Sequence, residues 1–575
     1  MNAKVLIAVA LVAAVLLLGN LGRAPFVDPP EGLHAEIARE MVTSGNWITP
    51  RLDGVPYFDK PPLLHWLIAV SYVALERSEW TARLGSALPA IGVAVLTARI
   101  GIVLGSARVG LLAGLMVAAN LEVFVFGRLV KPDLLFVFSL LLALSAFIEA
   151  YLSGSRAALR LFFASLGLAA LAKDVMGVIG PLALLVIFLS ITRGRGGWPR
   201  GVPGGGLLLL LVAAPWYALV EWRNPGFLWY VIVDNHLLNF TRRRIFPDAD
   251  VPLGALEFIG VTAAGFFPWV LALPWAVGRA LGRAAITDQD RMWLLLGLWT
   301  VAVLGFFVVS PFRLPHYGLP AFPAMALLVA RLWNEVLDGV RDGPALRRLL
   351  IPPLAVLAAL AGLSVSMWRG GLALAAGLLP PVDVIARIMV AHGQQPSTLF
   401  LGQLQPLFGT LTLIFGLGAV GVAAGLWRRQ AVIGLGAMLA AMMAFLPVSV
   451  EGFQIFARSR SVAPMAEMVA ARAAAGDVFA HEGAIEDSAT WLMSVDRPVQ
   501  IVDGRRSVLA FGSTFPSARH RFWDRRDLTE AWRGERRVFL VSVIPPANSV
   551  VNDLPRDRVH LLLQAGDRWL YSNRP

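Results

Sequence analysis

Apolar runs of about 20 residues, separated by short polar links, occupy most of the chain as far as residue 450. Backbone amides in lipid must be satisfied within the segment, so each such run reads as a membrane-spanning helix. Thirteen candidate spans start near residues 4, 84, 109, 132, 158, 175, 206, 256, 291, 315, 349, 399 and 431. The segment 28–80 is too polar to span, yet Glu31–Val42 has helical periodicity, and Ala35, Ile37, Ala38 and Met41 predict a helix lying along the membrane surface. Past 450 the apolar runs shorten and charges rise. VFAHE, PVQIVD, RVFLVSV and VHLLLQ predict strands, with a helix over Arg460–Ala474. The expected fold is mainly α: a polytopic membrane part over 1–450 and a small α/β domain over 451–575.

Composition supports this reading, with 57% of residues hydrophobic and 15% charged, outside the range of soluble globular chains. The formal charge of +12 does not indicate nucleic acid, because the arginines fall mainly in short links between apolar runs. Arg108, Arg156, Arg160, Arg193, Arg195, Arg200, Arg279, Arg283, Arg341, Arg347, Arg348, Arg428 and Arg429 mark every second link. The positive-inside rule places those links and the N-terminus in the cytoplasm. It leaves 23–83, 223–255, 379–398 and the C-terminal region outside. Cysteine is absent, so thiolate metal sites and disulfides are excluded.

Lysine departs from this pattern. Only four of fifty basic residues are lysines, and Lys60, Lys131 and Lys173 all fall on the outer side, in YFDKPP, RLVKPDLL and AKDVMG. Each touches or nearly touches a carboxylate, Asp59, Asp133 or Asp174. One such pair is ordinarily an interfacial ion pair; three on one face, joined by Arg128, Arg242, Arg243, Arg244 and Arg313, predict a positive region suited to a phosphate at the membrane boundary. Asp28, Glu31, His236 and Tyr317 complete the candidate chemistry of that face. Intramembrane charges also occur in transporters and flippases, but those cluster near mid-span, whereas these lie at outer helix ends and in outer loops.

The string EGLHAEIAREMVTSGNWITPRLDGVPYFDKPPLLHW resembles the first outer loop of the bacterial aminoarabinose transferases that act on lipid A (ArnT-like) and their protein O-mannosyltransferase relatives. In that loop an Asp-Glu pair precedes AEI, and YFEKP follows about twenty residues later. Asp133, Lys173 in AKD, His236 in a pattern like H-x-x-R-F, and RLPHY, similar to KLPTY, follow in family order. The resemblance implies a GT-C fold and a glycosyltransferase using a polyprenyl-phosphate sugar. A lipid A, glycan, other lipid or protein acceptor would meet the donor at the outer face of a bacterial inner membrane. It implies Asp28, Glu31 or Asp133 as the acids of the reaction centre, and Lys60 and Tyr317 on the lipid phosphate with help from Lys131, Lys173, Arg242 or Arg313. No cofactor is obligatory, but Asp59 and His236 could hold a divalent metal such as zinc. Two positions depart from the family: Pro30 stands where its aspartate is usual, with Asp28 displaced by two residues, and Asn239 replaces the arginine of H-x-x-R-F.

Overall fold

The computed structural model describes residues 2–192, 202–247, 251–282, 286–339, 343–371, 386–387, 390 and 400–575. Arg193, Arg195, Arg200, Arg283, Arg341 and nearly all of the expected loop 379–398 lie outside the described residues.

A helix lies at or close to each of the thirteen expected starts. They begin with α1 (Asn2–Leu18). After α2 (Pro30–Ser44), β1 (Arg51–Leu52), β2 (Val55–Pro56) and α3 (Leu63–Leu75), the series continues with α4 (Glu79–Leu104), α5 (Ala107–Ala118), α6 (Leu121–Gly127), α7 (Asp133–Ser153), α8 (Arg156–Ala172), α9 (Met176–Ile191) and α10 (Val202–Arg223). Further helices cover Ala255–Gly265, Leu273–Gly282, Asp288–Val309, Phe322–Leu337, Gly343–Trp368, Leu401–Trp427 and Ala431–Arg460. Among the described residues, seven helices are long and apolar enough to cross a membrane, or up to nine when two bent pairs each count as one span. One pair is α5 with α6, bent by 60°; the other breaks between Gly265 and Trp269 and is bent by 108°.

Local sequence sets these boundaries. Ser78, Ser106, Asn120 and Ser155 accept hydrogen bonds from the first-turn amides of α4, α5, α6 and α8, satisfying donors that lipid cannot. Gly101 and Gly110 bring α4 and α5 into contact: a Cβ on Gly101 would lie 2.8 Å from the Gly110 Cα, so only small residues allow this packing.

Contacts sort the links into two ends. At one, Arg108 pairs with Asp338, Arg279 with Glu335 at 2.9 Å, and Gln289 donates to the Leu104 carbonyl at 2.7 Å. At the other, the Val130 amide donates to Glu31 at 3.1 Å, Ser86 to the Lys131 carbonyl at 2.9 Å, and Lys173 pairs with Asp133 at 2.5 Å. The links bearing Arg108 and Arg279 and the lysine-bearing links thus lie at two separate ends of the helical bundle.

Beyond the last long helix, β3 (Val478–Glu482), β4 (Val499–Val502), β5 (Phe522–Trp523), β6 (Val538–Ser542), β7 (His560–Ala565) and β8 (Arg568–Ser572) form one sheet, ordered β5-β4-β3-β6-β8-β7. The first four strands are parallel, and β8 is antiparallel to both β6 and β7. All four expected strands are present; β5 and β8 lacked a comparable apolar run.

Three expectations need correction. The helix from Ala431 continues to Arg460, so the change of character lies beyond 460 rather than at 450, and the helix expected over Arg460–Ala474 spans only Ala463–Ala470. In α2, Ala35, Ile37, Ala38 and Met41 are not turned outward but are buried in a core shared with Leu64 and Ile68 of α3 and with Met465, Phe479 and Trp491 of the C-terminal region. Apolar and small residues around more than one face let the helix be covered from two sides.

Candidate functional site

A cavity of about 1010 Å³ opens between the second of those ends and the C-terminal region. Its walls carry Asp28, Asp59, Lys60, Lys131, Asp133, Lys173, His236 and Tyr317 among many apolar side chains.

Each lysine is fixed by its surroundings. Tyr57 and Phe58, before Asp59-Lys60, are buried, and the Phe58 ring packs on Phe227, Phe511 and Phe515 at 5.4, 5.5 and 5.6 Å. From this anchor Lys60 Nζ reaches Asp59 Oδ2 at 2.5 Å. Burial pushes the Asp59 carboxyl up, but Lys60, with Arg244 and Asn235, more than offsets this and holds it below the ordinary carboxylate value. The Lys131 amide donates to Ser86 Oγ at 3.2 Å, and its Nζ lies 5.5 Å from the Phe126 ring centroid. Lys173 follows the last turn of α8, while Asp133 opens α7. Lys173 Nζ sits 4.9 Å above the Tyr317 ring, and His316 Nε2 lies 3.4 Å from Asp133 Oδ1.

Asp28 and Glu31, only three residues apart, have different surroundings. Asp28 is buried on the cavity wall and accepts from the Thr490 amide at 3.2 Å (Oδ1) and from the Thr490 hydroxyl (Oδ2). Burial raises its pKa to about 6, against the opposing effect of Arg568. Glu31 does not line the cavity. It is fully buried off the cavity, and its oxygens accept from Arg83 Nε and Nη2, both at 2.8 Å, and from the amides of Val27 at 3.0 Å and Val130 at 3.1 Å. Arg83 also donates to the carbonyls of Leu21, Ala24 and Pro25. Glu31 therefore ties the first link to α4 and α7.

The geometry moves other assignments too. Arg242 is exposed and off the cavity wall, and Arg313 donates to the Val308 carbonyl at 3.1 Å; Arg244 lines the cavity in their place. Arg128 caps α1 instead, donating to the carbonyls of Leu16, Leu17 and Gly19. The expected positive region is interleaved with acid: Lys60, Lys131, Lys173 and Arg244 share the wall with Asp28, Asp59, Glu122, Asp133, Asp174, Glu257, Glu486 and Asp487. Asp59 and His236 both line the cavity; the Lys60 ammonium pairs with Asp59 Oδ2, His236 Nδ1 lies 2.6 Å from the Val231 carbonyl, and no group of three or more candidate ligands occurs among the described residues.

Several wall residues escaped the sequence reading. His34 stands inside the quoted first-loop string and His316 beside Tyr317, so position in the motif could have marked both. Asn235 lies beside His236 in a nine-residue π-helix, Tyr230–Leu238, which sets its side-chain direction. Glu122 sits at the bend between α5 and α6. Glu486, Asp487 and Val508 reach the cavity from the C-terminal region, and no motif announced them.

Residues 59–218 match the family model described as dolichyl-phosphate-mannose-protein mannosyltransferase. An undecaprenyl phosphate-alpha-4-amino-4-deoxy-L-arabinose arabinosyl transferase of Erwinia tasmaniensis is 25% identical over 570 residues, 95% of each chain. A second transferase of that name, from Sodalis glossinidius, is 27% identical over 92% of this chain and 91% of its own. The crystal structure of ArnT from Cupriavidus metallidurans bound to undecaprenyl phosphate superposes with a TM-score of 0.79 at 22% identity, covering 99% of this chain and 97% of that one. From its first outer loop to its C-terminal sheet, this chain is similar to these transferases in sequence and shares the GT-C fold of ArnT.

Proposed function

We propose that this protein is a glycosyltransferase that moves a sugar from a polyprenyl phosphate, undecaprenyl phosphate by analogy with its relatives, to lipid A or to another envelope glycan, lipid or protein. The observation that carries this reading is the convergence of Lys60, Lys131, Lys173 and Tyr317 with Asp28 and Asp133 on one largely apolar cavity. The apolar wall suits a prenyl chain, the lysines suit a phosphate, and the buried acid suits proton removal. The arginine alternation supports a cytoplasmic N-terminus and a cavity at the outer face of a bacterial inner membrane.

In this reaction Asp28 accepts the proton of the acceptor hydroxyl, whose oxygen bonds to the sugar C1 as the C1–O bond to phosphate breaks, inverting that carbon. Polyprenyl phosphate leaves with added negative charge, which Lys60, Lys131 and Lys173 stabilise. Asp133, clamped by Lys173, orients that lysine and is the second candidate base. Where the acceptor is itself an ionised phosphate, the need for a base falls away. No step requires a metal.

Purified protein incubated with labelled polyprenyl-phosphate sugar and acceptor tests this reading. Transfer yields labelled acceptor and free polyprenyl phosphate. A donor that stays intact, or only crosses a bilayer, would replace the transferase with a flippase or transporter.

A further inference from the structure

The C-terminal region does more than cover the cavity. Asp28 belongs to the first outer link and Thr490 to the short helix Ala489–Val495, yet the Thr490 hydroxyl and amide both donate to the Asp28 carboxylate. Thr490 is itself held from behind. Arg568, buried on β8, donates to the Asp487 carbonyl at 3.1 Å, to Ser488 Oγ at 2.9 Å and to the Arg460 carbonyl at 2.9 Å. Gly32 lets the elements approach: a Cβ there would lie 2.1 Å from Asp28 Oδ1 and 2.7 Å from the Thr490 amide nitrogen.

We infer that Thr490 is a positioning residue for Asp28, so that the C-terminal region sets the rotamer of the base. This inference rests on the transferase reading above. A hydroxyl donating to a carboxylate favours its ionised form. Arg568 acts in the same direction and Asp487 opposes it; on the side of the first link, Glu31 is closed off by Arg83. Without the Thr490 hydroxyl the carboxyl keeps its burial but loses a donor, so its proton is held more tightly and its orientation is less fixed.

The test uses the full chain in membranes with labelled polyprenyl-phosphate sugar and a hydroxyl acceptor. Thr490→Val should lower kcat roughly 10- to 100-fold, leave the donor KM within about twofold, and move the acid limb of the kcat profile to higher pH. Thr490→Ser, which restores the hydroxyl, should return both kcat and the limb toward wild type. In an Asp28→Asn background the Val substitution should have no further effect on kcat, whereas a merely structural loss would add to it. An unshifted limb in Thr490→Val, failure of Thr490→Ser to rescue, or full additivity with Asp28→Asn would overturn the inference. A wild-type protein that transfers no label would instead overturn the transferase reading.

Discussion

Substitution of Arg83 by leucine separates architecture from chemistry at the start of α2. The Glu31 and Arg83 side chains are 0% and 1% exposed, so this is a fully buried ion pair. Removing the guanidinium takes away two of the four donors to Glu31 and strands the carbonyls of Leu21, Ala24 and Pro25. Breaking such a pair on one side costs about 3–5 kcal/mol, because a buried charge is left uncompensated. At roughly 2 °C per kcal/mol for a chain of this size, the midpoint of thermal aggregation in detergent should fall by about 6–10 °C. Glu31→Gln should also destabilise, since its amide places a donor against the donors it replaces an acceptor for. The folded fraction of that variant should keep kcat within a few-fold of wild type. A Glu31→Gln protein that melts normally and transfers nothing would make Glu31 the base and refute this assignment.

Asp28→Asn should lower kcat about 10²- to 10⁴-fold with a hydroxyl acceptor, read by label transfer. In the wild type, activity should fall with a single-proton slope as pH drops through about 6, where burial has raised the Asp28 pKa. Because the folded chain binds that proton more tightly than the unfolded one, the Asp28 contribution to stability is present below its ordinary value of 3.8 and is lost as pH rises through about 6; melting curves at several pH values check the sign. Lys60→Met should raise the donor KM about 10- to 100-fold through loss of one cation on the phosphate, and unchanged donor dependence would remove Lys60 from that role. Gly32→Ala should force Asp28 and Thr490 apart, costing about 100-fold in kcat; normal turnover would show that their contact does not matter.

The parts legible in the sequence were those written in periodicity or in a local string. Long apolar runs located the helices, and YFDKPP, RLVKPDLL, AKD and RLPHY located the wall residues Lys60, Lys131, Asp133, Lys173 and Tyr317. The sequence ranks Asp28 ahead of Glu31 without a local reason, because a buried structural carboxylate and a cavity carboxylate have the same letter code, and what separates them is Arg83, 52 residues away. Arg313 and Arg242 were overrated for a related reason: sidedness puts an arginine near a boundary but does not aim its guanidinium. Thr490 and Asp28 are 462 residues apart, beyond any local pattern.

Interleaved charge on the cavity wall bears on how binding energy can be used. Lys60 and Lys173 are each held by a carboxylate at 2.5 Å, so in the proposed reaction an entering phosphate would share them with Asp59 and Asp133. Ground-state attraction for the donor is thereby moderated, and the lysines keep their positions in its absence. As the C1–O bond breaks, the phosphate gains charge and competes better for the same ammonium groups, so the interaction strengthens most where the barrier lies. A bare lysine cluster would bind the intact donor and the departing phosphate alike and would retain the product. Pairing Lys60 and Lys173 with acids places these fixed charges beforehand while leaving the greater part of their stabilisation to the transition state.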